Sequence, residues 1–283
     1  MSRFTKAVRS QAMSRVLFEG ASGSGKTTAA LTLAKTFGKI AVIDTENSSA
    51  SLYSDIADFD VLNLAPPYEP ERYVEAIQEA EAAGYDVIVI DSITPEWSGQ
   101  GGCLEIKDKL GGRFQDWAKV SPRHDKFVQA MLRSKCHIIA CCRSKQAYIV
   151  DEQTKKVTKA GVEPQQRDGL DYEMTVVFQL NHQHIATATK DRTRLFDGRE
   201  APITAETGKR LLEWLHSGVK APAPAPVVPA AIASVSDTSA RDTARTLYAK
   251  LKLTAPEKAD AIKAQHAQDY AAMAKALEEA LRG

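Results

Sequence analysis

Gly20, Gly25, Lys26 and Thr27 satisfy the pattern G-x-x-x-x-G-K-[ST] within the run VLFEGASGSGKTT. Ala21, Ser22, Gly23 and Ser24 lie between the two glycines, and Thr28 follows. Glycines let a backbone curl closely around an anion, so that successive N–H groups face phosphate oxygens. A helix opening near Lys26 adds the positive end of its dipole. The lysine ammonium can then reach the β- and γ-phosphates, and the Thr27 hydroxyl can reach Mg2+. Strand-like residues before the motif (Val16, Leu17, Phe18) and a helical pattern after it supply the context that a chance glycine-rich loop lacks. The chemistry is that of a nucleoside triphosphate site.

Three further residue sets stand where short apolar runs end. YDVIVIDS (Tyr85–Ser92) closes on Asp91 in the Walker B manner, where the acid holds magnesium through water or Thr27. Alone, an acid closing a buried strand is equally a helix cap; paired with the phosphate loop, it reads as metal-holding. IAVID (Ile40–Asp44) delivers Asp44, Thr45 and Glu46 to the same strand ends, where a carboxylate could activate water or could simply cap a loop. CHIIACC (Cys136–Cys142) is followed at once by Arg143, Ser144 and Lys145, and a cation there could sense a γ-phosphate. His182 and His184 alternate, but with no acidic or thiol partner nearby they fit a polar strand face better than a metal site.

The elements that must position these residues follow from periodicity. Helices are expected over Thr27–Phe37, Glu71–Ala83 behind Pro70, Arg123–Ser134 and Thr207–His216. Strands are expected at Val16–Phe18, Ile40–Asp44, Val61–Leu64, Tyr85–Ser92 and Cys136–Cys142. Leu170–Leu180 and His184–Thr189 alternate like a strand pair. Strand alternating with helix implies an α/β fold with a mostly parallel sheet.

Two connecting stretches stand out. Residues 94–122 carry Gly99, Gly101, Gly102, Gly111 and Gly112, which predicts a mobile loop. Trp97, Phe114 and Trp117 are interleaved there with Lys107, Lys109, Arg113 and Lys119. Aromatics among cations are what a single-strand groove uses, stacking bases and neutralising phosphates; aromatics packed onto the core of a substrate lid would look the same. Residues 146–168 are charged in both signs, with Lys155, Lys156 and Arg167, and predict a loop or a β-ribbon arm.

A chain of 283 residues with 43% hydrophobic content can bury a full core and carry an appendage. The net charge of +1 gives no global pull toward nucleic acid, so any such surface must be local. Cys103, Cys136, Cys141 and Cys142 lack C-x-x-C spacing and read as buried thiols. The first residues, MSRFTKAVRSQ, lack an apolar signal region, and no apolar run approaches membrane-spanning length, so a cytoplasmic protein is expected. The Pro/Ala-rich stretch 219–237 divides a domain over 1–218 from an alanine-rich, helical segment over 238–283. Helices are expected there over Ala240–Leu251, Pro256–Gln265 and Asp269–Arg282.

The order of phosphate loop, strand ending in DTE, strand ending in VIDS, loop, strand, loop and strand pair resembles the RecA-type ATPase core. That resemblance implies a RecA-like P-loop NTPase binding ATP and Mg2+, with Glu46 polarising the attacking water and Arg143 in the place of the family's γ-phosphate sensor, a glutamine. The stretches 94–122 and 146–168 would be its two DNA-binding loops, with Trp97, Lys107, Lys109, Arg113, Lys145, Lys155, Lys156 and Arg167 as contacts. Lys190 and Arg192 would act on a neighbouring protomer's ATP. DTENSSASLY, DSITPEWSG, CRSKQAY and EPQQRDGLDYE also resemble phage- and prophage-encoded AAA-type, RecA-like ATP-binding proteins, relatives of phage single-strand annealing recombinases. This likeness covers about residues 10–200. It implies an ATPase coupled to single-stranded DNA in recombination, annealing or replication. A homo-oligomeric ring or short filament is expected, as is a single-strand-binding or replication protein as partner of the C-terminal helices. From the residues alone, a P-loop kinase, a non-hydrolysing ATP-dependent adaptor and a helicase or packaging motor remain alternatives.

Overall fold

The computed structural model describes residues 4, 6–150, 157–219, 247–249, 251, 255–265 and 270–282. Its strands form because each apolar run is covered on both faces. In β1 (Arg15–Gly20), Val16 and Phe18 enter one core and Leu17 the other. In β4 (Val87–Asp91), Val87 and Val89 face the first core while Ile88 and Ile90 face the second. β2 (Ile40–Asp44) lies between β4 and β3 (Phe59–Asn63), the latter forming the sheet edge. The remaining strands are β5 (His137–Val150), β6 (Val157–Pro164), β7 (Val176–Leu180), β8 (Ile185–Asp191) and β9 (Glu200–Pro202).

The nine-stranded sheet runs β3-β2-β4-β5-β1-β7-β8-β9, with β6 paired to β5 off this path. From β3 to β7 every pairing is parallel; β8, β9 and β6 are antiparallel additions. Parallel neighbours bring the C-terminal ends of β1, β2, β4 and β5 to one edge, the usual place for a ligand in such a sheet. Helices cover both faces. α1 (Lys26–Ala34) and, in the numbering below, α7 (Ala205–His216) pack on one, with Leu31, Leu33, Leu211 and Leu215 inward. α2 (Pro70–Ala82) and α5 (Trp117–Arg133) pack on the other, with Tyr73, Ile77, Phe127 and Met131 inward. Arg123 of α5 clasps Glu71 of α2 through two 2.7 Å hydrogen bonds, which hold the Glu71 carboxyl below its usual range.

Arg15 is buried at the foot of β1. Its guanidinium donates to the carbonyls of Leu132 (3.0 Å), Ser134 (2.5 Å) and Cys136 (3.0 Å), closing the C-terminal end of α5. The basic arm before it pairs Ser10 with Val219 and lays Arg9 over the Trp214 ring at 4.8 Å.

The structure corrects several expectations. Residues 94–122 are not a mobile loop: they form α3 (Thr94–Ser98), α4 (Cys103–Lys109), a 3-10 turn over Phe114–Asp116 and the first turns of α5. Gly99, Gly101 and Gly102 serve close packing there. A Cβ on Gly102 would come within 2.5 Å of the Pro95 carbonyl, and one on Gly101 within 2.4 Å of Pro67 Cβ. α5 starts at Trp117, earlier than expected, and holds Pro122 inside it, where the missing N–H removes one hydrogen bond to the preceding turn without ending the helix. The alternating pattern expected as one strand over Leu170–Leu180 divides into α6 (Leu170–Glu173), entered from Gly169 at φ 93°, and β7. β9 was not expected at all. Within 146–168, the ribbon is the form adopted: β5 runs on past Arg143 and pairs with β6.

Residues 221–283 form a second compact unit. It contains α8 (Pro256–Gln265) and α9 (Tyr270–Arg282), with Leu251, Ala259, Met273 and Leu277 buried together. Nearly all of the expected linker lies outside the described residues. No helix among the described residues is long and apolar enough to cross a membrane.

Candidate nucleotide-binding site

β1 ends at Gly20 and α1 begins at Lys26, so the five intervening residues make the tight turn that the motif requires. Gly23 (φ 77°) and Gly25 (φ 84°) adopt left-handed backbone that favours glycine. A Cβ on Gly20 would come within 2.3 Å of Ser24 Oγ and 2.9 Å of the Leu180 carbonyl. Lys26 is buried, and its Nζ donates to the carbonyls of Gly20 (3.0 Å) and Ala21 (2.9 Å), lying along the loop. Ser24 Oγ is buried without a hydrogen-bond partner among the described residues. A polar oxygen in that condition beside a turn of N–H groups fits an anion.

Thr27 Oγ1 donates to Asp91 Oδ2 at 2.5 Å, joining phosphate loop and Walker B strand. Burial pushes the Asp91 carboxyl up to about 6, against the Thr27 hydrogen bond. A hydroxyl and a nearly buried carboxylate side by side are oxygen donors that suit Mg2+, which takes one or two carboxylate ligands together with phosphate oxygens. Thr27 and Asp91 are therefore the residues here that would hold it.

Asp44 and Asp91 are register partners on neighbouring strands, yet they do different work. Asp44 accepts N–H groups from Glu46 (2.6 Å) and Ala50 (2.8 Å) and so shapes the turn that carries Glu46. Thr45 ties that turn to β4: its hydroxyl accepts the Ser92 N–H (2.8 Å) and its own N–H reaches the Asp91 carbonyl (2.9 Å). Of the three residues ending β2, Glu46 alone carries a carboxylate outward. Glu46 Oε1 meets Arg143 Nε at 2.9 Å. Arg143 is the register partner of Gly20, so this cation stands beside the start of the phosphate loop.

Lys190 and Arg192 are not brought to this site. β8 runs against β7, and Asp191 pairs with Val176 and Val176 with Val16, at the edge where the parallel strands begin. Lys190 Nζ donates to the Asp171 carbonyl at 2.6 Å and Arg192 to that of Tyr172. Among the other residues singled out, Trp97 is stacked on Trp117 (centroids 5.3 Å, planes 9° apart). The remaining described cations each sit near an acid: Lys107 by Asp108, Lys109 by Glu105, Arg113 by Asp116, Lys145 by Glu163 and Arg167 by Asp125. Lys155 and Lys156 lie outside the described residues.

His184 is a site residue that sequence reasoning left on a strand face. It sits in the turn between β7 and β8 at φ 61°, and its Nδ1 donates to the Ser24 carbonyl at 3.0 Å. A Cβ on Gly25 would come within 2.7 Å of that same nitrogen. Only the strand order, with β7 beside β1, brings this turn over the phosphate loop.

A parallel α/β sheet with a phosphate loop on a central strand and an acid at the end of β4, one strand removed across β5, defines a P-loop nucleotide-binding protein. The sequence model of the AAA domain family matches residues 12–213, and the chain belongs to that family of P-loop ATPases. No curated protein matches the chain.

Proposed function

We propose that the chain hydrolyses ATP with Mg2+ and couples that turnover to binding single-stranded DNA, in recombination by annealing or in replication, as a RecA-like protein of phage or prophage origin acting in the host cytoplasm. The observation that carries the reading is one sheet edge: Lys26, the Thr27–Asp91 pair and the Glu46–Arg143 pair converge there, and the β5–β6 ribbon departs from Arg143 itself. The loop N–H groups and Lys26 bind the phosphates. Thr27 and Asp91 would hold Mg2+, which would supply positive charge to the phosphate oxygens. Glu46 orients the attacking water, and Arg143 leaves Glu46 to meet the γ-phosphate.

Trp97, Lys107, Lys109, Arg113, Lys145, Lys155, Lys156 and Arg167 line the DNA path in this reading, with DNA phosphates replacing the surface carboxylates that pair with the described cations. Lys190 and Arg192, at the far edge, serve a neighbouring copy in a homo-oligomeric ring or short filament. The C-terminal helices recruit a single-strand-binding or replication protein. ATP turnover measured with and without single-stranded DNA, beside DNA-binding titrations at two salt concentrations, tests the proposal. Stimulated turnover and salt-weakened binding are expected. Glu46→Gln should keep ATP binding and lower turnover by about 100-fold or more. Unchanged turnover in that variant would remove Glu46 from the chemistry, and ATP binding with no DNA binding would end the DNA reading.

A further inference from the structure

Away from the nucleotide, three helices bring a carboxylate, a thiol and an imidazole together. Glu96 of α3, Cys103 of α4 and His124 of α5 are all buried, and their donor atoms lie within 4.8 Å of one another. His124 Nδ1 is 3.0 Å from Glu96 Oε1, and Cys103 Sγ is 3.2 Å from the same oxygen. Gln166, at the foot of the β5–β6 ribbon, donates Nε2 to Glu96 Oε2 at 3.3 Å and to the Ile93 carbonyl at 3.0 Å. No lysine or arginine among the described residues forms an ion pair with Glu96. A fully buried carboxylate needs a positive partner, because an isolated charge is costly to remove from water. A metal ion held jointly with Cys103 and His124 would be such a partner.

We infer that Glu96, Cys103 and His124 bind a Zn2+-class ion. The donor set decides the class. One thiolate, one imidazole and one carboxylate form a borderline-soft set that suits zinc and is poorly matched to Mg2+ or Ca2+. Donors on a tetrahedral ion with bonds of about 2.0–2.3 Å stand about 3.3–3.6 Å apart. The Glu96–His124 and Glu96–Cys103 separations of 3.0 and 3.2 Å come near this, and the third lies within 4.8 Å. Gln166 supplies the outer hydrogen bond that orients a ligating carboxylate.

The surroundings give a reason for such a site. The segment from Glu96 to His124 contains five glycines, and its larger apolar side chains include Leu104, Leu110 and Phe114, all exposed. It forms short helices with little core of their own, a situation in which a metal can supply the missing cohesion. With three protein donors the fourth position of the ion would be left to water, and the ion would fasten α3, α4 and α5 behind the Walker B strand. It would stand apart from the Mg2+ site at Thr27 and Asp91.

Zn2+ and Co2+ themselves are the probes. The full chain, purified without chelator, should contain one zinc per chain by elemental analysis. After chelation, Co2+ should produce a thiolate-to-metal charge-transfer band that saturates at one equivalent. Cys103→Ser should abolish the band while ATP binding is retained; Cys142→Ser should leave the band intact. Because Cys103→Ser could unfold the segment, limited proteolysis of the wild-type chain with and without Zn2+ is read as well. Cleavage within 96–124 should be suppressed by the metal. Absence of both bound zinc and the cobalt band in wild type, or a band of full intensity in Cys103→Ser, would overturn the inference and leave Glu96 held by hydrogen bonds with Cys103, His124 and Gln166 alone.

Discussion

Glu46 and Arg143 form an ion pair at 2.9 Å, and in the proposed mechanism each acts on the nucleotide only once that contact opens. This makes their contributions interdependent. Arg143→Ala should reduce ATP turnover by about 10- to 1,000-fold, the usual scale for losing one group that stabilises transition-state charge. The double variant with Glu46→Gln should be barely slower than the worse single variant, since groups that act as a unit are not additive. Losses that multiply would mean that the two act independently. His184 gives a milder expectation. One hydrogen bond to the Ser24 carbonyl is worth about 0.5–1.5 kcal/mol. His184→Ala should therefore weaken ATP binding by about 2- to 10-fold, measured by titration. The contrast between these residues explains what could be read in one dimension. Lys26, Thr27 and Asp91 announce themselves because motif and strand end are local in sequence. His184 has no local signature; its role exists only because β7 adjoins β1.

The elements divide in the same way. Helices α2 and α7 were legible because their apolar periodicity is strong and each is buried on a definite face, while α1 and the central parallel strands were legible as apolar runs around the phosphate-loop motif. The stretch 94–122 was not, because glycine signals both freedom and close approach. At Gly101 and Gly102 it is close approach to Pro67 and Pro95 that decides. Likewise Leu170–Leu180 alternates like a strand, while Gly169 in left-handed backbone begins a helical turn that alternation cannot reveal. Two predictions belong to this scale. Replacing residues 146–162 of the ribbon by a two-residue turn should abolish stimulation by single-stranded DNA and leave ATP affinity unchanged; retained stimulation would exclude the ribbon from the DNA path. Arg15→Met should cost about 3 kcal/mol or more in chemical denaturation, because the carbonyls of Leu132, Ser134 and Cys136 lose their donor. A cost below about 1 kcal/mol would mean that water replaces the guanidinium.

For the molecule as a whole, two buried groups set opposing responses to pH. His137 accepts the Ser14 N–H at 3.0 Å and stacks on Phe37, and burial lowers its pKa from 6.5 to about 4. The unfolded chain therefore binds this proton first. Stability from neutral His137 is complete above about pH 6.5 and is lost as pH falls toward 4, by about 3 kcal/mol at most. Glu19 has the reverse sign: burial, with Asp171 nearby, raises it to about 7, so its contribution is lost as pH rises from about 4.5 to 7. Thermal melts of wild type alone would show the two partly cancelling. Melts of His137→Asn against wild type from pH 7.5 to 5 should isolate the histidine, with the variant losing less stability on acidification. Equal losses would show that His137 does not titrate in this range.

The pairing of β1 also has a consequence for how the chain is made. Its two neighbours, β5 and β7, lie more than a hundred residues later, so the central strand has nothing to pair with until they have been synthesised. At about 5–20 residues per second, β1 leaves the ribosome roughly ten to thirty seconds before β7. For that interval Val16, Leu17 and Phe18 are an uncovered apolar segment on a nascent chain, and the phosphate loop has no shape to offer a nucleotide. ATP can thus act as a ligand of the finished domain only, and a chaperone that shields apolar segments is needed earliest at the N-terminal end.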